Sequence, residues 1–312
     1  MLNSVNLKIA DTVIRMQSGF PIKPLSEEDL KLESPERFNS FFYKGGRKPD
    51  ILIDIKVVKK LPKFSGKVIF ITTHFQDGSE NWRLLKRGSA YIYKSPLDEK
   101  KQVAVVSKDF KRADVYLLPK RSKDFVWETS DIIYDFLQVL LINYFAFHKK
   151  GIFTHSAGIR DIDDRGYLFN GKSGAGKSTT ARIWYKHSKA KVLNDDRIII
   201  RKMKGKFFIY GSPWHGDFSD YLVSRSDSAL LDKIFFIHHA KLNRVQPIEE
   251  SEAFSLLYPN LFPTFWDKSC LENIVSFSLD LIKNIRCLKM GFVNNKNIIS
   301  FIRKQKGGLS NV

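Results

Sequence analysis

Tyr167 to Thr180 reads YLFNGKSGAGKSTT, and within it stands Gly171-x4-Gly176-Lys177-Ser178. An apolar run, Tyr167-Leu168-Phe169, leads into the glycines, and a helix-forming stretch, Ala181-Arg182-Ile183-Trp184-Tyr185, leaves them. Strand, glycine loop and helix in that order let successive backbone N–H groups turn inward around phosphate oxygens. They do so at a helix N-terminus whose dipole already favours anions. This is the Walker A pattern of a phosphate-binding loop. Lys177 is expected to reach β- and γ-phosphates from a solvent-facing loop, and the Ser178 hydroxyl to hold Mg²⁺. The candidate nucleotide-binding residues are Gly171, Ser173, Gly174, Ala175, Gly176, Lys177, Ser178 and Thr179. The expected ligands are therefore ATP or a related triphosphate and Mg²⁺.

Downstream, Lys191-Val192-Leu193-Asn194-Asp195-Asp196-Arg197-Ile198-Ile199-Ile200 reads as a strand interrupted by two carboxylates, 18 and 19 residues after Lys177. The gap holds one helix of about three turns, roughly 15–18 Å long at 1.5 Å per residue, and a short return. The second strand is expected to lie beside the first, with its acids near the phosphates. Phosphoryl transfer asks for a metal clamp and for a carboxylate that orients or deprotonates the acceptor. Adjacent residues of a strand point to opposite faces, so one acid can serve the metal and the other the acceptor. A solvated Asp-Asp-Arg turn is the plainer reading.

Residues 1 to 125 show short strand patterns at Asn6–Val13, Asp50–Val58, Lys67–Thr73, Ser89–Lys94, Gln102–Val106 and Arg112–Leu118. Turn clusters such as Lys44-Gly45-Gly46-Arg47 and Asp77-Gly78-Ser79 separate them, which predicts a smaller β-rich N-terminal domain. It either covers a neighbouring sheet or gathers a peptide by edge-strand pairing. From 126 to 312 helical and strand patterns alternate, predicting an α/β core with its site at the strand C-termini. Phe136, Leu140 and Tyr144 recur at i+4 within the apolar stretch Ile132 to Phe147, which reads as a buried helix. Ser251–Tyr258 and Asn273–Ile285 read as closing helices.

The 312 residues carry 52 Lys and Arg against 33 Asp and Glu, a net charge of +19. Such charge fits a Lys-rich compositional bias, an acidic substrate or a nucleic acid. No RNP, zinc-finger or helix-turn-helix signature supports the last. Two cysteines, Cys270 and Cys287, are too few for a disulfide framework. The N-terminus shows no apolar signal core, and no apolar stretch is long enough to span a bilayer. A cytoplasmic location is expected, and a homo-oligomer is left open.

His155-Ser156-Ala157-Gly158-Ile159, GKSGAGKSTTA, Leu193-Asn194-Asp195-Asp196-Arg197 and Tyr210-Gly211-Ser212-Pro213-Trp214-His215-Gly216 together resemble the kinase domain of HPr kinase/phosphorylase. They resemble more closely its shorter relatives, the HPr-kinase-related serine kinases. The resemblance covers roughly residues 125 to 290. It implies a P-loop kinase core of that type, with His155, Lys177 and Asp196 catalytic, Ser178 on the metal, and Asp195 completing the metal shell. The implied reaction passes the γ-phosphate of ATP to a serine-type hydroxyl of a peptide, protein or small molecule. Where true HPr kinases carry a Glu-Arg-Gly type loop with a metal-binding Glu, this chain runs Gly211 to Asp217 and offers only Asp217. That departure implies a forward kinase acting on something other than HPr.

Three further features have two readings each. Adjacent His238 and His239 look like a metal pair, yet neighbours on a strand diverge. Trp214-His215 either touches nucleotide or acceptor or packs its own loop. Arg244 offers a guanidinium to the transferred phosphate, without a flanking motif. The alternative to a kinase is a nucleotide-binding regulator or NTPase without a phosphoryl acceptor. His155 and the Trp-containing loop favour the kinase.

Overall fold

The computed structural model describes residues 3–23, 40–73, 80–95, 102–118, 127–216 and 226–305. The Asp77-Gly78-Ser79 turn, Asp217 and the boundary expected after residue 125 lie outside them. The chain divides into two compact units, Met1–Pro35 with Phe41–His148 and Thr264–Leu271, and Glu36–Ser40 with Lys149–Pro263 and Glu272–Val312.

In the first unit a hairpin of β1 (Ser4–Ile9) and β2 (Thr12–Ser18) turns on Ala10 and Asp11, both at positive φ. That is the geometry a two-residue hairpin needs to match strand twist. A two-residue strand β3 (Ile22–Lys23) follows, then β4 (Ile51–Val57), β5 (Lys67–Thr73), β6 (Glu80–Arg87), β7 (Ala90–Ser95), β8 (Gln102–Val106) and β9 (Arg112–Leu117). They form an eight-stranded mixed sheet in the order β1-β2-β4-β9-β8-β7-β6-β5, with β2, β4 and β9 mutually parallel. β10 (Trp127–Glu128) pairs with β3. A short α1 (Thr129–Ile132), a π-helical stretch Ile133–Leu137 and α2 (Gln138–Phe147) run on as one rod. Its buried Phe136 packs on Tyr93 of β7 at 5.6 Å. Burying such a ring contributes about 2 kcal/mol. Late in the chain Trp266 returns to Phe70 at 4.6 Å and donates its indole N–H to Asn143 Oδ1 at 2.9 Å.

The second unit opens with a hairpin, β11 (Ile152–Arg160) and β12 (Arg165–Asn170), and passes through the glycine loop into α3 (Lys177–His187). Four strands come next, β13 (Lys191–Asn194), β14 (Arg197–Met203), β15 (Lys206–Tyr210) and β16 (Ser228–His239). β17 (Arg244–Pro247), α4 (Glu250–Leu257), α5 (Lys268–Asn284) from Glu272 onward, β18 (Arg286–Phe292) and α6 (Asn297–Lys304) complete it. β12 is antiparallel to β11 on one edge and parallel to β16 on the other. With β11–β14, β14–β15 and β15–β16 also paired, these five strands close a ring. β18 and β17 extend it from β16. Gly166 lets β12 approach β16 closely, since a methyl there would fall 2.7 Å from the Leu230 carbonyl oxygen. On the outer face the fully buried Trp184 of α3 and Ile298, Ile299 and Ile302 of α6 share one core with Phe169, Phe235 and Phe292. Arg303 clamps α6 to the β11–β12 turn through two bonds to buried Asp161, 2.9 and 2.6 Å long.

This architecture corrects the expected α/β P-loop core with a smaller N-terminal β domain. The fold is predominantly β, with two large mixed sheets of eight strands each, 43% strand and 25% helix. The physical reason lies after α3. There β13 and β14 follow each other through a two-residue bend, and β14, β15 and β16 pair antiparallel in sequence, where alternation would have put parallel strands separated by helices. β13 and β14 consequently lie beside β11, not beside β12 as expected, and the parallel neighbour of β12 is the distant β16.

Candidate functional site

The loop between β12 and α3 is built for its glycines. Gly176, the residue that caps α3, has φ +103°, and a methyl on it would fall 2.4 Å from the Phe292 ring. Both conditions admit glycine alone. His239, the last residue of β16, approaches the same loop, its Nε2 lying 3.1 Å from the Gly174 carbonyl. Ser173 and Gly174 are exposed at the tip, and Ala175, Ser178 and Thr179 are half-buried.

Lys177 departs from expectation. It opens the first turn of α3, is only 6% exposed, and donates from Nζ to the carbonyls of Gly171 at 2.8 Å and Lys172 at 3.2 Å. It is folded into the loop, not turned to solvent, because those carbonyls satisfy the ammonium. Burial pulls its proton affinity below the ordinary value, against the attraction of Asp196 and Asp195.

The two acids stand in a bend between β13 and β14, not on a strand. Asn194 makes that bend: its Oδ1 accepts from the amides of Asp196 at 2.8 Å and Arg197 at 2.9 Å. Its Nδ2 donates to the carbonyls of Ser212 at 2.9 Å and Trp214 at 2.8 Å. The acids diverge all the same. Asp195 is 1% exposed and accepts the Gly216 amide at 2.9 Å. Asp196 meets His155 Nδ1 at 3.2 Å with one oxygen and Arg197 Nε at 3.0 Å with the other. Burial holds His155 below its ordinary pKa, opposed by Asp196 and reinforced by Lys177 and Arg197. At neutral pH its ring is therefore uncharged.

Lys177, Asp195, Asp196 and His155 thus share one electrostatic neighbourhood, each felt by another across the loop. Trp214 is buried and packs on Phe153 at 6.0 Å, which supports its loop-packing reading. His215 bonds the Gly216 carbonyl at 2.8 Å. His238 and His239 diverge, and Arg244 accompanies His238 rather than the loop. Among the described residues no group of three His, Cys, Asp or Glu gathers to hold a metal ion.

Sequence reasoning passed over Asn194, Ser212 and Gly216, which hold the acids in place. It also passed over Asn170, the residue before the loop. Fully buried Asn170 donates to Ser156 Oγ at 2.9 Å and to Thr154 Oγ1 at 3.3 Å, on either side of His155, and accepts from Asn260 at 3.0 Å. An Asn immediately ahead of an Asp pair, and another ahead of a glycine loop, were the signals available. Both amides tie together backbone and hydroxyl groups that are buried around the acids and the loop. No protein-family model matches the chain, and no curated protein matches it.

Proposed function

We propose that the chain is an ATP-dependent phosphotransferase that passes the γ-phosphate to a serine-type hydroxyl of a peptide, protein or small molecule. The observation that carries this reading is the meeting of Lys177, His155, Asp195 and Asp196 at a glycine loop opening a helix. Backbone amides of Gly174 to Ser178 would bind the phosphates, with α3 lending its N-terminal dipole. Lys177 would exchange its two carbonyl partners for phosphate oxygens.

Asp196 is the general base of this reading. The acceptor oxygen forms its bond to the γ-phosphorus while the bond from that phosphorus to the β–γ bridging oxygen breaks. ADP leaves with that electron pair, and the hydroxyl proton passes to the Asp196 carboxylate. Neutral His155 orients that carboxylate from Nδ1. Ser178 and Asp195 would hold Mg²⁺, their hydroxyl and carboxylate oxygens being the hard donors it takes. An ion bound through one or two protein oxygens and the phosphates needs no three-residue protein cage, and it would neutralise charge building on the β- and γ-oxygens.

Transfer from γ-labelled ATP to a panel of free serine, HPr and short peptides tests the reading. Asp196→Asn should keep nucleotide affinity and lose transfer by about 10²-fold or more. Label released only as inorganic phosphate would favour an NTPase, and no ATP turnover at all would remove both readings.

A further inference from the structure

His238 on β16 stands opposite Gly291 on β18, and β17 brings Arg244 to the other side of the same glycine. A methyl at Gly291 would lie 2.8 Å from Ala240 Cβ and 3.3 Å from both His238 Nε2 and Arg244 Cγ. Its absence leaves a cleft of about 150 Å³ lined by His238, Arg244, Gln246, Lys289 and Gly291. That is room for a few water-sized groups at about 30 Å³ each.

The lining holds nitrogen donors and no carboxylate. Glu252 on α4 pairs with Lys289 at 3.0 Å. Among the described residues the Arg244 side chain makes no hydrogen bond or ion pair. The crowding of like charge is felt by His238, whose proton affinity is lowered by burial and then by Arg244, Lys289 and His239. With Glu252 on Lys289 alone, the other two nitrogen groups have no carboxylate beside them among the described residues, and an anion that bridges all three would stabilise the cluster. A guanidinium fork suits one with two or more oxygens.

We infer that this cleft binds a single oxyanionic group, a phosphate or a carboxylate, between Arg244, Lys289 and His238. The site is separate from the glycine loop, because successive strand residues face opposite ways. His239 turns to Gly174 while His238 turns into the cleft. The two are joined by one peptide bond, so an anion in the cleft stiffens the end of the strand that leans on the loop.

The test follows the His238 ring by NMR in the full chain carrying Lys177→Met, so that the loop no longer competes for phosphate. Inorganic phosphate and succinate are added separately, with chloride at matched ionic strength as the control. Either oxyanion should move the His238 titration midpoint upward, and Arg244→Gln or Gly291→Ala should abolish the move. A response to phosphate alone assigns the cleft to phosphoryl groups, and one to succinate alone to carboxylates. If neither anion moves His238, or the move survives Arg244→Gln, the inference fails. Arg244 is exposed on β17, so its variant carries the test even if Gly291→Ala disturbs the strand. The outcome is independent of whether the intact loop turns over ATP.

Discussion

In the first unit Lys56 reaches Asp114 across neighbouring strands at 2.8 Å, with the two side chains 46% and 44% exposed. Lys8–Asp11 is a surface pair as well, and exposed Arg47 reaches the half-buried Asp50. In the second unit Lys177 and Asp195 are buried, and Asp161 is buried beneath Arg303. The sheets are alike in strand number and both units carry surface pairs, yet among the described residues the buried charged side chains all lie in the second unit. Removing a charge from water costs several kcal/mol unless hydrogen bonds replace the lost solvent. The second unit meets that cost with backbone: Gly171, Lys172 and Gly216 supply the partners. On the function proposed above, such buried charges beside the glycine loop would serve a charged ligand.

The contrast can be broken most severely at Lys177. Lys177→Met keeps most of the buried volume and removes the charge. We expect ATP turnover to fall by about 10³-fold, at the upper end of what one preorganised donor supplies, with an unchanged circular dichroism spectrum. A variant that unfolds would show that Lys177 holds the loop together and would leave its catalytic role without support.

Asp161→Asn comes next. It preserves shape and removes the charge that holds Arg303, at an expected cost of about 2 kcal/mol in urea unfolding. The matching change in the first unit, Asp114→Asn, should cost less than about 1 kcal/mol, because water already screens the pair. Equal losses at the two positions would erase the distinction between the units.

The gentlest probe is pH. His155 has a folded-state pKa below its ordinary 6.5, so the unfolded chain takes up that proton first as pH falls. Stability should therefore decline from about pH 6.5 downward and level off once folded His155 is also protonated. Thermal midpoints of the wild type and His155→Gln between pH 7.5 and 5 should converge as the solution is acidified. Parallel curves would mean that His155 is not held below its ordinary value.

Much of this was legible locally. Lys67–Thr73 and Gln102–Val106 have the bounds their β-branched and alternating residues suggest, and the i+4 stripe Phe136-Leu140-Tyr144 lies buried. β6 was missed because Trp82-Arg83-Leu84-Leu85-Lys86 has no strict alternation and reads as well for a helix. The β1–β2 turn was missed because Ala10-Asp11 carries no Asn-Gly or Asp-Gly signature. In the site, the loop and the acid pair were legible as motifs, while their fastening was not. Asn194 acts through Ser212 and Trp214, and Asn170 through Thr154 and Asn260, partners that only the fold brings near. The α/β expectation failed for a similar reason. Helical patterning is counted along the chain, but which strand lies beside β12 is decided by long-range pairing.

That pairing has a consequence for biosynthesis. Arg165 pairs with Leu230 and Asn170 with Phe236, so β12 cannot complete its hydrogen bonding until β16 has left the ribosome. A nascent chain halted after α3 holds the whole glycine motif but only one flank of the strand that carries it. Loop closure over so long a segment is slow relative to hairpin formation. Amide protection at Leu168 and Phe169 should therefore appear late, in step with β16, while the β11–β12 hairpin forms early. On that order, the motif that reads most clearly in the sequence would take its final shape only after the distant segment Ser228–His239 has joined it.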